Sequence, residues 1–597
     1  MFCNANNIFY GDAVYVYTYQ NSRYHRSFID HFIVSEKLNN CNVNISHDGG
    51  NLSDHEPINI QTTCITNIIP ENNISWQGIE WDKANNEHII NYKNLLNNNF
   101  RHLTISDNVK NCNDFNCRQH DDYILQKLNE SIDIFKFCAN ATIPNKRYSS
   151  KKGIHGWNEF VKPFKDQSIL YHNIWKSQNS PRSGPYAEMR RFTRSKYHWA
   201  VKQAKRDTDS LIRNETAQKL ASKSFTEFWS TIKRLKGTNK VTSNVVDGIC
   251  NDQGIADNFH SIYKNLYNSV NDTNFSNVIE EVNELVTNKC NNNGCSSSQC
   301  HGITKDLLQK AIHNLKNGKD DETYYLSSNH FINASEIAIE KLSIILDLML
   351  KHGIASELVN KSVIKPIPKN MQKSLSISTN YRAISKNTII SKIIDYVMIL
   401  QIENKLTTTS YQFAYKEGFS TSMCSFLVAE TIQYYKSHGS DVYMLSLDAS
   451  KAFDRVKYTK LFKLLIGRSV CPLLIRFLIN IYIFSSATVK WNMCESDSFN
   501  IGNGVKQGAI ISAPLFAVYI DPLMSKLNET KQGCYIGNIC ANAFAYADDI
   551  VFLYLSCSAL RHLIVICENY ANEYIINFNP DKSTLLIFSK LEFIKNK

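Results

Sequence analysis

The C-terminal half of the sequence predicts an α+β fold, on three observations. From about Ile303 onward, helical and strand patterns alternate densely. Within that stretch an apolar, β-prone run, "VYMLSLD", ends on a carboxylate, Asp448, where the chain turns toward a helix. Farther on, "NAFAYADDIVFLY" sets Asp548 and Asp549 side by side between two apolar runs. Adjacent buried like charges repel and are costly to desolvate. The pair is therefore either the solvated tip of a hairpin or half of a site where a metal ion supplies the missing charge.

With 597 residues the chain is long enough for several domains, and 43% hydrophobic residues suffice for sizeable cores. Lys plus Arg exceeds Asp plus Glu by 66 to 55, a net charge of +11 that favours polyanionic partners. The opening "MFCNANNIFYGDAVYVY" has no basic stretch followed by an apolar core, which argues against a signal peptide. The most apolar run, "CPLLIRFLINIYIF", is interrupted by Arg476 and Asn480 and is shorter than the roughly 20 residues of a membrane span. The expectation is a soluble, intracellular protein with no membrane partner, its 17 cysteines mostly reduced.

Along the chain, residues 1–66 read as short strands and turns, and 67–300 as a connector that is Asn-rich at both ends. At its centre, about 157–236, the pattern is helical and basic. "YAEMRRFTRSKYHWAVKQAKRD" carries Arg190, Arg191, Arg194, Lys196, Lys202, Lys205 and Arg206 with Tyr197 and Trp199 interleaved. Such a helix suits phosphate contact and base stacking, or is simply a solvated face. Two cysteine clusters flank it: Cys112, Cys117 and His120, and then Cys290, Cys295, Cys300 and His301. Their spacings are looser than paired C-x2-C and their surroundings are rich in Asn and Ser, so flexible loop is preferred over zinc. Residues 301–597 are the catalytic body.

In that body a carboxylate at a strand end, facing the "YADD" hairpin, completes a cage of hard oxygen donors suited to magnesium. Two ions about 4 Å apart can hold an attacking 3′-oxygen and a departing pyrophosphate. This chemistry needs convergent carboxylates, supplied by Asp448 and Asp548 with Asp549 beside them.

"SLDASKAFDRV", "GNGVKQGAIISAPLF" and "AYADDIVF" stand in the order and rough spacing of reverse transcriptase palm motifs, and most resemble the non-LTR (LINE-type) retrotransposon family. Upstream, "VIKPIPKN", "NYRAISKNTIISKIIDYVM" and "QFAYKEGFST" are similar to its fingers segments; downstream, "NFNPDKSTLLIFS" looks like its next palm motif. The resemblance covers about Ile303 to Ser589 and implies a right-hand polymerase fold with fingers and palm. It implies that Asp448, Asp548 and Asp549 hold two Mg2+ ions, with Mn2+ as an alternative. Phe453, five residues after Asp448, would crowd a 2′-hydroxyl and favour deoxynucleotides. Gln507 and Gly508 would support template and nucleotide, and Gly508 would let backbone approach substrate. Arg382 would grip the triphosphate through its planar fork. Lys582 would protonate the leaving pyrophosphate, and Asp454 would be a local structural acid. The implied partners are an RNA template, a DNA primer or target and deoxynucleoside triphosphates, with nuclear action implied by the family's life cycle; no oligomeric state follows. Two departures, Ala513 before Pro514 and Ala383 after Arg382, change local stiffness without removing a chemical group. The end at "SKLEFIKNK", soon after Lys582, reads as truncation before the family's helical thumb.

At the other end, "SFIDHFIVSEKLNN" and "NLSDHEPINI" resemble the final motifs of the endonuclease/exonuclease/phosphatase fold, an α/β-sandwich. The resemblance makes His55 the general base or phosphate-contacting imidazole, Asp54 a metal-site carboxylate and Asp30 the acid that orients the histidine. Only about sixty residues precede the connector, so the expectation is an incomplete remnant without strand-cutting activity, a reading that metal-dependent nicking by the purified chain would overturn. The whole is thus expected to be an RNA-directed DNA polymerase or, in the alternative, a catalytically silent nucleic-acid-binding relic. A maturase-like or telomerase-like protein fits less well, because those families lack the nuclease motifs.

Overall fold

A computed structural model of the chain describes residues 78–112, 114–145, 157–235, 243–291, 294–295 and 302–589, together with the backbone of six short strands within residues 1–62. The chain divides into two compact units, Met1–Gln77 and Gly78–Lys597. In the first, Ala5–Asn7 pairs antiparallel with Ile33–Ser35, Tyr19–Gln20 with Arg26–Ser27, and Cys41–Ile45 with Ile58–Thr62. Asp30, Asp54 and His55, assigned from sequence to a nuclease remnant, lie outside the described residues.

The second unit opens with helices α1 (Asn86–His102) and α2 (Asp121–Thr142), followed by the basic pair α3 (Lys162–Ser177) and α4 (Pro185–Arg206), then α5 (Asp252–Leu266) and α6 (Glu336–His352). The chain continues through β1 (Lys361–Pro368), β2 (Tyr381–Asn387), α7 (Thr421–Ser437), β3 (Val442–Leu447), α8 (Pro472–Ile483), β4 (Ser486–Trp491), α9 (Ser512–Glu529), β5 (Ala543–Tyr546), β6 (Asp549–Tyr554), α10 (Cys557–Tyr574) and β7 (Thr584–Phe588). The ends of α6 show why these segments stop where they do. The Ser335 hydroxyl caps its first turn by accepting from the Ala338 N–H, and Gly353, at φ 67°, closes it in a left-handed turn.

Two sheets frame the C-terminal part of this unit. In one, the order β5-β6-β3-β7 is antiparallel throughout. Successive side chains of β6 leave opposite faces: Ile550, Phe552 and Tyr554 enter the main core with Leu515 and Phe516 of α9 and Leu563 of α10. Val551 and Leu553 face the other way, into a cluster with Cys424 and Ile432 of α7. Both faces are covered, which is why "DIVFLY" is apolar throughout rather than alternating. In the other sheet β2 pairs antiparallel with β1, and β1 parallel with β4. Against it α5 lays Ile255, Phe259 and Tyr263, packed with Ile364, Tyr381, Val489 and Trp491.

Helices from the stretch read as connector therefore belong to the packed body. Tyr92 and Phe100 of α1 and Phe135 of α2 are fully buried in the same cluster as Leu342 and Leu346 of α6. The Asn-rich composition of this region conceals a helical apolar stripe on each element. The basic helices α3 and α4 pack on one another through small residues, Ala187, Thr193, Ala200 and Ala204, and turn their cations outward. No helix of the described residues is long and apolar enough to cross a membrane.

Candidate active site

The edge where β3 and β6 end is fixed by their register. Leu447 pairs with Ile550, so the next residues along, Asp448 and Asp549, stand opposite each other across the strands. Asp548 sits in the tight turn between β5 and β6, beside Ala547 at φ 59°. Three carboxylates thus share one edge. Burial, then its neighbours Asp549 and Asp448, holds the Asp548 carboxyl above the usual range. Burial, then Asp448, does the same to Asp549.

The turn is held from outside. Gln412, wholly buried, accepts at Oε1 from the Ala547 N–H at 3.0 Å and donates from Nε2 to the Ala547 carbonyl at 3.2 Å. Its neighbours extend the hold: the Phe413 N–H donates to the Ala545 carbonyl, and the Ala545 N–H to the Tyr411 carbonyl, both at 2.8 Å. A non-glycine residue in the left-handed region is strained, and this clamp is what sustains it. Gln412 lies in the quoted "QFAYKEGFST" yet its role was invisible there, because its partner is 135 residues away.

Asp448 is reached from the opposite side by the "NFNPDKS" segment. The Asn579 N–H donates to the Asp448 carbonyl at 2.8 Å, and the Lys582 ammonium donates to Asp448 Oδ2 at 3.0 Å. Lys582 therefore stands at the carboxylates, its ammonium partly neutralising Asp448.

These groups border a cavity of about 380 Å³ whose wall includes Asp448, Asp548, Phe453, Gln507, Arg382 and Lys582. Lys369 and Lys451 line it too. Burial, then the nearby Lys451, Lys582 and Arg382, lowers the Lys369 pKa, so positive charge is crowded opposite the acids. Lys369 was not singled out from sequence; the signal was its position at the end of "VIKPIPKN", where β1 gives out beside Arg382 on β2. An anionic ligand relieves such crowding.

The cavity floor is a buried network. Phe453 stacks on Phe516 of α9, with ring centroids 4.4 Å apart and planes 18° from parallel, so its ring is held by the core. Asp454, 4% exposed, accepts from Gln507 Nε2 at 2.9 Å on both oxygens and from the Tyr267 hydroxyl at 3.1 Å. Burial pushes its carboxyl up to about 6 against these donors. Gln507 is thus oriented by Asp454. Its own carbonyl accepts from the Ser385 N–H at 2.7 Å, tying the loop to β2. Gly508 follows at φ 120°, and a Cβ there would lie 2.4 Å from the Ser385 carbonyl oxygen, so only glycine fits. Asp395 holds the loop's far side by accepting from the Ile510 N–H at 2.9 Å.

The basic helices form a separate surface. The Arg190 guanidinium lies 3.9 Å from the Trp175 ring centroid, and Tyr197 packs edge-on against Trp157. Trp199 is 60% exposed. Of Tyr197 and Trp199, the aromatics singled out with the basic residues, Trp199 is the one whose ring is left open to stack on a ligand. In the second cysteine cluster Cys290 is buried, while Cys300 and His301 lie outside the described residues.

With this geometry in hand, comparison with known proteins is informative. The profile of the family described as reverse transcriptase (RNA-dependent DNA polymerase) matches residues 367–594, which contain every cavity residue named above except Tyr267 on the floor. The chain is 24% identical over 297 residues to the transposon TX1 uncharacterized 149 kDa protein of Xenopus laevis, a match covering 49% of this chain and 22% of that protein. It is 22% identical over 203 residues to the retrovirus-related Pol polyprotein of the type-2 retrotransposable element R2DM of Drosophila melanogaster, covering 34% of this chain and 19% of that one. The matched part thus spans about a fifth of the length of these curated relatives. Apo telomerase from Candida tropicalis aligns with a TM-score of 0.32 at 12% identity, over 84% of this chain and 74% of that one, a likeness too low to carry an argument. The family profile and the retrotransposon relatives converge on the stretch that builds the cavity, which carries a reverse transcriptase domain similar to those of LINE-type, non-LTR retrotransposon proteins.

Proposed function

We propose that this cavity is the polymerase site of the chain and adds deoxynucleotides to the 3′-hydroxyl of a primer paired to an RNA template. The observation that carries the reading is the meeting of Asp448, Asp548 and Asp549 at one sheet edge, across a cavity from Arg382, Lys369 and Lys451. The carboxylates supply hard oxygen donors and an excess of negative charge, the donor set that suits divalent magnesium or manganese. Bound there, two such ions would lower the charge on the attacking and leaving oxygens of an in-line displacement.

The remaining roles fall to the chain's own side chains. Arg382 and Lys369 attract and orient the triphosphate. Phe453, braced by Phe516, presents a ring edge where a 2′-hydroxyl would otherwise sit. Gln507 and Gly508 form a floor that lets a base pair approach the backbone closely. Lys582, at Asp448, is poised to pass a proton to the departing pyrophosphate. The exposed cations of α4 and Trp199 would bind nucleic acid outside the cleft.

Primer extension on poly(rA)/oligo(dT) with magnesium tests the reading. The native chain should extend the primer, and Asp548→Ala should lose that activity by on the order of 10³-fold, the scale on which loss of a preorganised electrostatic group slows chemistry. Phe453→Ala should retain extension and accept ribonucleotides more readily. Salt-sensitive RNA binding without extension, from folded protein, would instead support the silent-relic reading.

A further inference from the structure

Away from the cavity, the structure brings together one of the cysteine clusters that the sequence favoured as loop. Cys112, Cys117 and His120 each offer a ligand atom, and these three atoms lie within 4.8 Å of one another. The Cys117 Sγ stands 3.6 Å from the His120 Nδ1. The loop that carries them is shaped by its own backbone: the Cys117 N–H donates to the Asp114 carbonyl at 3.1 Å, and the Asn116 N–H to Asp114 Oδ1 at 2.9 Å. That turn folds the second thiol back beside the first.

A candidate fourth donor, beside the group of three rather than within it, comes from far along the chain. His352, the last residue of α6, packs edge-on against His120 with ring centroids 5.9 Å apart. It is only 3% exposed, and neither of its ring nitrogens makes a hydrogen bond of good geometry, the Cys117 backbone carbonyl being the polar group that faces it. A buried imidazole with both nitrogens poorly matched is costly, and a ligand for one of them removes the cost. With Zn–N bonds of about 2.0 Å and tetrahedral angles, two imidazoles on one ion have centroids roughly 5 Å apart, within about 1 Å of the separation seen.

A neighbouring arginine explains why His352 is there. Arg476 on α8, itself 7% exposed, donates to the Phe115 carbonyl at 2.9 Å and to Asn116 Oδ1 at 3.3 Å, and its other terminal nitrogen donates to the Lys351 carbonyl. One guanidinium thus draws the cysteine loop and the end of α6 to the same point.

We propose that Cys112, Cys117, His120 and His352 form a structural zinc site that fastens the α1–α2 layer to the polymerase body. Two thiolates and two imidazoles are the donor set of closed, tetrahedral zinc sites, and they are too soft for magnesium. The spacing C-x4-C-x2-H supplies three ligands from one loop; the fourth arrives through the fold, which is why the sequence pattern falls short of a zinc signature. Binding releases the thiol protons to solvent and ties residues more than 200 positions apart.

Two measurements on the full chain test this. The first is metal content after gel filtration in cobalt-loaded buffer. The native chain should retain about one equivalent that Cys112→Ser/Cys117→Ser lacks, with the visible absorption of tetrahedral cobalt–thiolate coordination, and His352→Gln should bind more weakly. Retention equal in native and double-variant chains, or an octahedral spectrum without thiolate charge transfer, would overturn the proposal. The second uses the native chain only, and so does not depend on a variant folding. Cys112 and Cys117 should resist alkylation with zinc bound and be modified after chelation, as read by peptide mass spectrometry. Equal modification with and without zinc would overturn the proposal, as would modification that requires a reductant and so reveals a disulfide.

Discussion

Two carboxylate sites in this molecule, within the same body, meet opposite fates. Glu322 lies under the β1–β2–β4 sheet and is ringed by three lysines: Lys365 at 2.5 Å, Lys386 at 2.8 Å and Lys490 at 3.2 Å. Those cations outweigh its burial and hold its carboxyl down at about 2. At the edge of the other sheet, Asp548 and Asp549 face Asp448, and their carboxyls are pushed up. The first site is electrically complete within the chain and ties strands together. The second has a single ammonium in ion-pair contact, Lys582, for three acids, with Arg382, Lys369 and Lys451 standing off across the cavity. An acid cluster that the fold leaves short of positive charge is one that awaits it from solution, and this difference separates a structural group from a candidate metal site.

The largest expected effect comes from breaking that asymmetry. Asp548→Asn removes a repulsion as well as a ligand, so extension should fall by on the order of 10³-fold while the melting temperature of the metal-free chain rises. Glu322→Gln should do the reverse. It leaves three lysines facing one another, lowering the melting temperature while leaving extension at saturating nucleotide within a few-fold of native. If the two substitutions shift stability in the same direction, the contrast is wrong.

Next in size is the scaffold of the acidic edge. Gly508→Ala must push against the Ser385 carbonyl at an unfavourable φ, a strain of about 1–3 kcal/mol that falls on the cavity floor. Gln412→Leu leaves the buried N–H and carbonyl of Ala547 unpaired, at about 1–3 kcal/mol. Both should lower the melting temperature in denaturation scans. Gln412→Leu should also reduce turnover more than nucleotide affinity, because it frees the turn that carries Asp548.

The smallest effect is a pH dependence, and it too has opposite signs in the two kinds of site. Burial raises Asp454 and Asp395 from 3.8 to about 6, so each holds its proton more tightly when folded. Their contribution to stability is full below about pH 4 and is lost as pH rises through 6. Glu322, lowered from 4.5 to about 2, contributes above pH 4.5 and loses that contribution as pH falls toward 2. Melting curves between pH 3 and 7 should show Asp395→Asn flattening the upper slope and Glu322→Gln the lower one.

Legibility in the sequence followed sequence distance. Asp448, Asp548, Asp549, Phe453, Gln507, Gly508, Arg382 and Lys582 were each readable from a short motif, and the structure gathers them around one cavity or its floor. The strand delivering Asp448 and the hairpin bearing Asp548 were readable too, because apolar runs ending on acids are local patterns. What escaped was long-range. Tyr267 donates to Asp454 across 187 residues, and Gln412 clamps Ala547 across 135. Neither residue belongs to a type or spacing that announces a role. The α1 helix was hidden by its many asparagines, and His352 by its distance in sequence from the cysteine loop it packs against.

The central claim is that Asp448, Asp548 and Asp549 form an edge short of positive charge. It is tested most directly by the melting temperature of the native chain and of Asp548→Asn across a magnesium titration. The account predicts that the native chain starts lower and rises with magnesium, while the variant starts higher and stays nearly flat. A native chain indifferent to magnesium, or a variant that responds as strongly as the native chain, would contradict it.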